Sequence, residues 1–376
     1  MDVFLGRGKF ISENKIKVGD NVLEFARAVI ATGGQPSVPP IPGVDTIEYL
    51  TNQSLWNLTE LPAKMAVIGS GPIGCEIAQA FALFGSHVIV LNRSDRILGK
   101  EDHEAAQVVR ESMESCGVHF MLGVSYTSIG YVDPTKGKAG GIKIVIEHAK
   151  EKKVEELIVD DVLIATGRKP NVENMGLEKA GVKFDVYRGI EVNDYLQTSN
   201  NNVYAVGDCC TRYQFTHMAD AMARMVIRNA LFFGRAKCSD LVIPWCTYTF
   251  PEVAHVGLYE GDLQTRRIDY DVIKVDLDHN DRAICEDETR GFVKMLIKKG
   301  SDQILGCTIV SENAGDQINE VTLAIQTNTG LGFFAGVIHP YPTIGEAVKA
   351  AGDAYNRTRL TPVSKALLRR ILSARR

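Results

Sequence analysis

The order of apolar and polar positions along the chain predicts short buried strands that alternate with helices, followed by a region of longer strands. Apolar runs rich in Val and Ile and bounded by polar turns are typical of buried strands. The clearest of these runs cover residues 64–68, 87–91, 161–164 and 203–206. In the last third, alternation predicts strands at 292–297 and 303–310 and an amphipathic helix over 314–327. This order indicates an α/β region followed by an α+β domain.

A glycine-rich turn joins the apolar run at 64–68 to a helical pattern. In its G-x-G-x-x-G spacing, Gly69 allows the tight turn, Gly71 lets the backbone approach a pyrophosphate, and Gly74 lets the helix pack on the strand. The next strand ends about 20 residues beyond the glycines, as a dinucleotide-binding βαβ unit requires. The contacts that we predict for a bound dinucleotide are Gly69, Ser70, Gly71, Pro72, Ile73, Gly74 and Glu76.

The residues that follow the strand at 87–91 bear on the choice between the two pyridine nucleotides. An acidic residue there would accept hydrogen bonds from the adenine ribose, whereas a basic residue accommodates a 2′-phosphate. This chain has Asn92 followed by Arg93, with Arg96 close behind. We therefore predict NADPH over NADH, with Asn92 and Arg93 as contacts. The alternative is that the arginines are solvated and that NADH binds without the acid.

Two distant strands share the same ending. Residues 27–34 and 161–168 each run from an apolar strand into Ala-Thr-Gly. The repeat suggests two related dinucleotide domains, since small residues at the end of a buried strand let the chain turn beside a cofactor. A third strand, 203–206, delivers Gly207 and Asp208 to its carboxyl end, where open α/β sheets bind ligands.

Composition and charge exclude some classes of protein without adding a site. The 376 residues are 45% apolar and 23% charged, as in a soluble globular protein of two or three domains. The 42 basic and 46 acidic residues give a formal charge of −4, so nucleic acid is not an expected partner. No apolar stretch is long enough to span a bilayer and the first residues lack a secretory pattern, so we expect a soluble, intracellular, cytoplasmic protein.

The spacing of the cysteines favours simple thiols over metal ligands. The eight cysteines include no C-x-x-C pair and no zinc-like arrangement with histidine, so we predict no metal site. Cys209 and Cys210 are adjacent, and neighbouring cysteines close only a strained ring. We interpret both as plain thiols.

Together, these motifs resemble the pyridine nucleotide-disulfide oxidoreductase family. The glycine fingerprint, the two Ala-Thr-Gly strands and the segment from Thr198 to Asp208 occur in the order and at the distances of that family. Segments 243–257 and 281–294 look like its dimerisation domain and indicate the mercuric-reductase-like branch. The resemblance implies an α/β fold with two Rossmann-like dinucleotide-binding domains, the FAD one incomplete, plus an α+β C-terminal dimerisation domain. It also implies a homodimer that uses FAD and NAD(P)H.

The resemblance assigns cofactor contacts outside the fingerprint as well. It implies that the Asp208 carboxylate binds the ribityl chain of FAD and that the helix start, with Thr216 and Ala219, approaches the flavin. Gly167 would lie beside the nicotinamide cofactor. The further cofactor contacts, from the first Ala-Thr-Gly turn, are Ala31, Thr32 and Gly33.

The chain departs from the family pattern at its start. By resemblance, it contains a partial FAD-binding domain at 1–58, an NAD(P)-binding domain at 59–168, a returning FAD-binding segment at 169–241 and a dimerisation domain with a basic tail at 242–376. A complete member begins with another glycine fingerprint and a redox-active cysteine pair, and neither occurs before the first Ala-Thr-Gly strand. We therefore expect an N-terminal truncation, and any targeting segment would lie upstream.

The region around residue 341 carries the candidate acid/base group. Disulfide reductases of this family have a His-Pro-Thr followed by Glu, with the histidine as acid/base for the leaving thiol and the glutamate orienting it. Aligning Pro342, Thr343 and Glu346 with that signature places Tyr341 at the histidine position, as in mercuric reductases, and leaves His339 two residues early. We predict Tyr341 and Glu346 as catalytic. The alternative is that Tyr341 packs in the dimer interface and that His339 is a surface residue.

The tail, residues 361–376, has the pattern of a basic amphipathic helix. Leu367 and Ile371 lie opposite Lys365 and Arg369 at helical spacing. We prefer a solvated helix that packs on its own dimer and regard attachment to a membrane surface as the less favoured alternative.

Two functional interpretations follow, and both accept the family. In the first, the protein is an FAD-dependent NAD(P)H oxidoreductase of the disulfide or mercuric reductase type, which passes hydride to flavin and electrons on to a disulfide or soft-metal acceptor. In the second, the chain is a truncated, non-catalytic NAD(P)-binding remnant that dimerises. We favour the first, because Asp208 and Thr216 have no evident use without FAD.

Overall fold

A computed structural model describes residues 1–375, and clustering of contacts divides the chain into two compact units. The first unit contains residues 1–39 and 166–241, and the second contains residues 40–165 and 242–376. The second unit thus contains the predicted nucleotide-binding region together with the C-terminal region. The four domain limits given above remain predictions.

The strands and helices predicted from the apolar runs are present in the expected order. The strands are β1 (Gly8–Ser12), β2 (Lys15–Val18), β3 (Asn21–Glu24), β4 (Ala28–Ile30), β5 (Gly34–Pro36), β6 (Lys64–Ile68), β7 (His87–Asn92), β8 (His119–Leu122), β9 (Val124–Tyr131), β10 (Ile142–His148), β11 (Val154–Val159), β12 (Asp161–Ile164), β13 (Arg168–Pro170), β14 (Phe184–Asp185), β15 (Gly189–Ile190), β16 (Val203–Ala205), β17 (Pro244–Thr247), β18 (Glu252–Gly257), β19 (Tyr270–Asp276), β20 (Phe292–Lys298) and β21 (Ile304–Ser311). The helices are α1 (Pro72–Leu83), α2 (His103–Ser115), α3 (Thr216–Leu231), α4 (Glu260–Arg266), α5 (Asp281–Cys285), α6 (Ala314–Gln326), α7 (Glu346–Thr358) and α8 (Pro362–Ala374).

The first unit is built from small sheets around one apolar core. Strands β1, β2 and β3 form an antiparallel sheet, β5 pairs with β13, and β4 lies parallel to β16. Phe10, Ile30 and Val203 lie in the core of this unit. Within residues 1–375, β4 has β16 as its one strand partner, and Val29 in the middle of β4 is 48% exposed. An apolar strand edge is therefore open in the described chain.

The nucleotide-binding part of the second unit is a four-stranded parallel sheet in the order β12-β6-β7-β8. Its central strands are buried along almost their whole length, and Val67 pairs with Val90 on β7 while Ile68 pairs with Ile164 on β12. Continuous apolar runs are what a parallel sheet requires when both of its faces are covered. The antiparallel strands β9, β10 and β11 form a separate three-stranded sheet.

The C-terminal part of the same unit is a five-stranded antiparallel sheet in the order β17-β18-β21-β20-β19, with α6 and α7 packed against it. The predicted strands and helix of this region are confirmed to within two residues at each end. Helix α8 follows α7, and none of its residues is buried.

Buried polar contacts join the nucleotide-binding and C-terminal parts of the second unit. The Gln79 side chain on α1 donates to the Phe250 carbonyl at 2.8 Å and accepts from the Phe250 amide at 2.7 Å. The Glu101 carboxylate accepts from the Trp245 indole at 3.0 Å and from the Tyr259 hydroxyl. Burial raises the pKa of Glu101. Because these polar groups are withdrawn from water, each depends on its partner across the two parts.

Candidate cofactor sites

The three fingerprint glycines have different surroundings. Gly69 has φ of 108°, a left-handed conformation that favours glycine, and its amide donates to the Leu91 carbonyl at 2.9 Å. A Cβ on Gly74 would lie 2.1 Å from the Gly69 carbonyl oxygen, so α1 packs closely on β6. A Cβ on Gly71 would have no atom within 4 Å, which leaves an open approach to the backbone at the turn.

The N-terminus of α1 provides a site that fits a pyrophosphate. Pro72 occupies the first turn of the helix, and no side chain caps the helix start. The remaining amide groups of the first turn and the positive end of the helix dipole therefore face the opening above Gly71. The Ser70 carbonyl is turned inward, where it accepts from the Leu98 amide at 2.8 Å.

The two arginines that follow β7 have different surroundings. The Arg93 guanidinium lies over the Tyr126 ring, 5.7 Å from its centroid, and the Arg93 side chain is exposed. The Tyr126 hydroxyl donates to the Leu91 carbonyl at 3.1 Å, and burial raises the pKa of Tyr126 to about 12. Arg96 instead donates to the Glu101 carbonyl at 3.0 Å, and Asn92 donates to the Arg96 carbonyl at 3.2 Å. Arg93 is therefore the basic group of this turn that remains available to a ligand.

Glu76 makes a bond that sequence reasoning did not anticipate. Its carboxylate accepts from the Tyr248 amide at 2.9 Å, so that α1 is tied to the segment after β17. Burial raises the pKa of Glu76. The predicted contact between Glu76 and a cofactor remains a prediction.

On the flavin side, the first Ala-Thr-Gly turn is held open by a side chain from another segment. Asn171 donates to the Thr32 carbonyl at 2.9 Å, and the Thr32 hydroxyl donates to the Asn171 carbonyl at 2.7 Å. Ala31 and Thr32 are exposed, and Gly33 has φ of 67° with open space on the side where a Cβ would project. The turn is thus fixed and accessible, as a cofactor contact requires.

Asp208 carries an ion pair that the sequence did not reveal. Arg168 donates to Oδ2 of Asp208 from two guanidinium nitrogens, at 3.0 and 3.1 Å, and the Asp208 side chain is 15% exposed. A further bond from Arg168 reaches the Gly34 carbonyl at 3.1 Å. Because both contacts use Oδ2, the carboxylate is held in one orientation. Arg168 directly follows the second Ala-Thr-Gly, but nothing in the local sequence marks Asp208 as its partner.

The other predicted cofactor contacts of the first unit lie at turns or helix ends. Thr216 is the exposed first residue of α3, whose N-terminus has no side-chain cap. Ala219 lies one turn further along α3, close to Gly207, which has φ of 72°. Gly167 has φ of 128°, and its carbonyl accepts from the Ser37 amide at 2.9 Å.

All eight cysteines are free thiols. Cys209 is buried, and a hydrogen bond from Cys210 lowers the pKa of Cys209 to about 7, while the same bond raises the pKa of Cys210. No group of three or more His, Cys, Asp or Glu side chains in the described part of the chain is arranged to hold a metal ion.

The region of Tyr341 lies in the C-terminal part of the second unit. Tyr341 is 70% exposed, and its hydroxyl donates to Asp281 Oδ2 at 2.8 Å, which raises the pKa of Tyr341. Glu346 is the first residue of α7. His339 is only 10% exposed, and its Nε2 lies 3.1 Å from Glu320 Oε2. The alternative of a surface histidine therefore does not hold, because His339 is packed and bonded at the end of its loop.

Among the described residues, no helix is both long and apolar enough to cross a membrane.

The parallel sheet with its glycine-rich turn, the two Ala-Thr-Gly turns and the antiparallel C-terminal sheet define a class of proteins with two dinucleotide-binding domains and an antiparallel C-terminal domain. Comparison with known proteins identifies the family. Residues 1–223 match the pyridine nucleotide-disulphide oxidoreductase family, and residues 243–351 match its dimerisation domain. The chain belongs to the pyridine nucleotide-disulphide oxidoreductase family. Members of this family use FAD and NAD(P)H.

Individual relatives support the same assignment. The chain is 36% identical to a mercuric reductase from Staphylococcus aureus over 95% of its own length and 64% of the relative's. It is 33% identical to a dihydrolipoyl dehydrogenase from Chlamydia muridarum over 92% of its length and 72% of the relative's. An HOCl-induced flavoprotein disulfide reductase from Escherichia coli superposes with a TM-score of 0.83 at 26% identity, over 92% of this chain and 77% of that one. The chain therefore spans just under two thirds of the mercuric reductase.

Proposed function

We propose that this chain is the greater part of an FAD-dependent NAD(P)H oxidoreductase of the disulfide or mercuric reductase type. Hydride would pass from NAD(P)H to the flavin, and electrons would pass on to a disulfide or a soft-metal ion. The observation that carries the proposal is the turn at Gly69–Gly74, whose uncapped helix start and open Gly71 fit a dinucleotide pyrophosphate. The acceptor class is proposed because relatives are named mercuric reductase and flavoprotein disulfide reductase.

The residues of the chain would bind and orient the cofactors. Asp208, oriented by Arg168, would accept a hydrogen bond from a ribityl hydroxyl, and the turn at Ala31–Gly33 would contact the flavin side. FAD, when bound, would supply the chemistry that accepts hydride from NAD(P)H and passes electrons on. Asn92 and Arg93 would bind the adenine ribose end of NADPH.

Tyr341 and Glu346 are the proposed catalytic residues. The bond from Tyr341 to Asp281 keeps the phenol protonated at neutral pH, because it raises the pKa of the hydroxyl. Tyr341 would therefore not act as a base, and it would donate to a leaving thiolate or a metal-bound sulfur by turning its single O–H proton away from Asp281. Glu346, at the start of α7, would orient it.

We further propose a homodimer and a cytoplasmic location. The dimer is supported by the match to the family's dimerisation domain at residues 243–351. The cytoplasm is supported by the eight free thiols, since reducing compartments keep cysteines in that state.

Flavin retention tests the proposed function. The purified chain is incubated with FAD, gel-filtered and treated anaerobically with NADPH, and we expect a retained visible flavin band that bleaches. Asp208→Asn should weaken flavin retention, because the neutral amide loses the Arg168 ion pair and half of the acceptor character. A folded chain that binds NADPH yet releases all flavin would contradict the proposal for this chain and would favour a cofactor-binding remnant.

Arg93 should decide the preference for NADPH. An Arg93→Ser substitution should raise the dissociation constant for NADPH about 10- to 100-fold, because a bond to a charged phosphate is lost. Affinity for NADH should change little. Calorimetric titration with both nucleotides measures the two constants, and Tyr126→Phe, which keeps the ring beneath Arg93, serves as the control. Equal losses for NADPH and NADH would remove Arg93 from the 2′-phosphate site.

A further inference from the structure

Helix α8 is amphipathic and is not packed against the rest of its chain. Val363, Leu367 and Ile371 recur every four residues and define one face, with Leu368 and Leu372 beside it. All five side chains are more than 40% exposed. The sequence favoured packing of this helix on its own dimer, but on its own chain the helix contributes no buried residue.

The same segment concentrates positive charge. Residues 354–376 contain seven Lys and Arg and no Asp or Glu. The whole chain has 42 basic and 46 acidic residues, so residues 1–353 have 35 and 46 and a net charge of −11. Lys365 and Arg369 lie on the face of α8 opposite Val363, and Arg370 lies beside the apolar face. Helix α8 is thus cationic and has one apolar face, whereas residues 1–353 carry a net negative charge.

We propose that α8 binds the surface of an anionic lipid bilayer. An amphipathic helix with basic and apolar faces lies in the interface plane, where the apolar face enters the acyl boundary and the basic side chains meet anionic headgroups. Such a surface provides partners for both faces of α8. Its apolar acyl chains contact the apolar face, and the negatively charged headgroups of the cytoplasmic leaflet contact the basic face. Nucleic acid would use the charge and leave the apolar face in water.

A second copy of the chain is the competing occupant, and charge argues against it. Two α8 helices that packed face to face would bring together the three cations of each helix, Lys365, Arg369 and Arg370, which costs free energy. A bilayer instead pairs every cation with an anion. In the proposed homodimer, two helices would bind the same surface, which raises the apparent affinity of a weak single anchor.

Vesicle flotation of the purified chain tests this inference. With vesicles that contain roughly a third phosphatidylglycerol, we expect the chain to float, and with phosphatidylcholine alone we expect binding to fall at least about 10-fold. High salt should have the same effect as neutral lipid, because the attraction is screened.

Paired substitutions separate the two faces. Arg369→Gln with Arg370→Gln should weaken binding about 30-fold, and Leu367→Glu with Ile371→Glu should abolish it. Lys136→Gln with Lys152→Gln removes the same amount of charge from side chains that are 69% and 77% exposed. This pair should leave vesicle binding unchanged. The melting temperature should not move for any pair, since α8 buries nothing.

Sedimentation velocity provides the opposing outcome. If Leu367→Glu with Ile371→Glu converts a dimer into a monomer, α8 packs on a second copy and the inference is overturned. The absence of binding to anionic vesicles at low salt would overturn it equally. Neither outcome depends on flavin or nucleotide binding, so failure here is distinguishable from failure of the proposed function.

Discussion

A Gly71→Glu substitution should abolish NADPH binding and leave the chain folded. The added carboxylate would stand at the helix start where the pyrophosphate binds, and like charges at such a distance cost several kcal/mol, so affinity should fall at least about 100-fold. The fold should tolerate the change, because a side chain at Gly71 meets no atom within 4 Å and the residue has an ordinary φ of −75°. Calorimetric titration and a thermal melt measure the two effects.

Gly71→Ala is the matched control for this result. Its methyl group enters the same space without charge, and it should weaken NADPH binding less than the glutamate. If Gly71→Glu bound NADPH with unchanged affinity, the pyrophosphate would not lie at this turn and the proposed function would lose its main support.

Gly74→Val should have the opposite result, a large loss of stability that is present before any nucleotide is added. The new Cβ would lie 2.1 Å from the Gly69 carbonyl oxygen and 3.5 Å from the Ala165 side chain, so α1 would have to move away from β6. Overpacking against backbone costs about 3 kcal/mol or more, and the melting temperature should fall by on the order of 10 °C.

The measurement is a thermal melt without added nucleotide. Gly71→Ala again provides the comparison, because it adds the same kind of group three residues earlier, where space is open. If Gly74→Val had the same melting temperature as the wild type, α1 would not approach β6 as closely as the structure has it.

Periodicity and glycine spacing predicted the elements of this fold, because both report on local backbone requirements. The run at 64–68, the fingerprint and the run at 87–91 became β6, α1 and β7 in the expected parallel sheet. The sequence could predict these because a buried parallel strand needs an unbroken apolar run and a tight turn needs glycine.

Long-range side-chain contacts could not be predicted in the same way. The pair between Arg168 and Asp208 joins residues 40 positions apart, and no local pattern marks it. Arg93 and Arg96 are equivalent as sequence, yet one lies over Tyr126 and the other is bound to carbonyls of its own loop. A surface position for His339 remained an alternative in the sequence, because its partner Glu320 comes from α6. These assignments require the tertiary fold.

The contacts that join the nucleotide-binding and C-terminal parts of the second unit limit how this protein can be recombined. An exchange of residues 59–165 for the equivalent region of a relative would have to bring in an α1 with a glutamine that pairs with Phe250 and a loop with an acceptor in the place of Glu101. Without that acceptor, Tyr259 would lose the partner of its partly buried hydroxyl. If Arg93 binds the 2′-phosphate as proposed, a change of nucleotide preference is more readily made by replacing Arg93 alone than by transplanting the sheet that carries it.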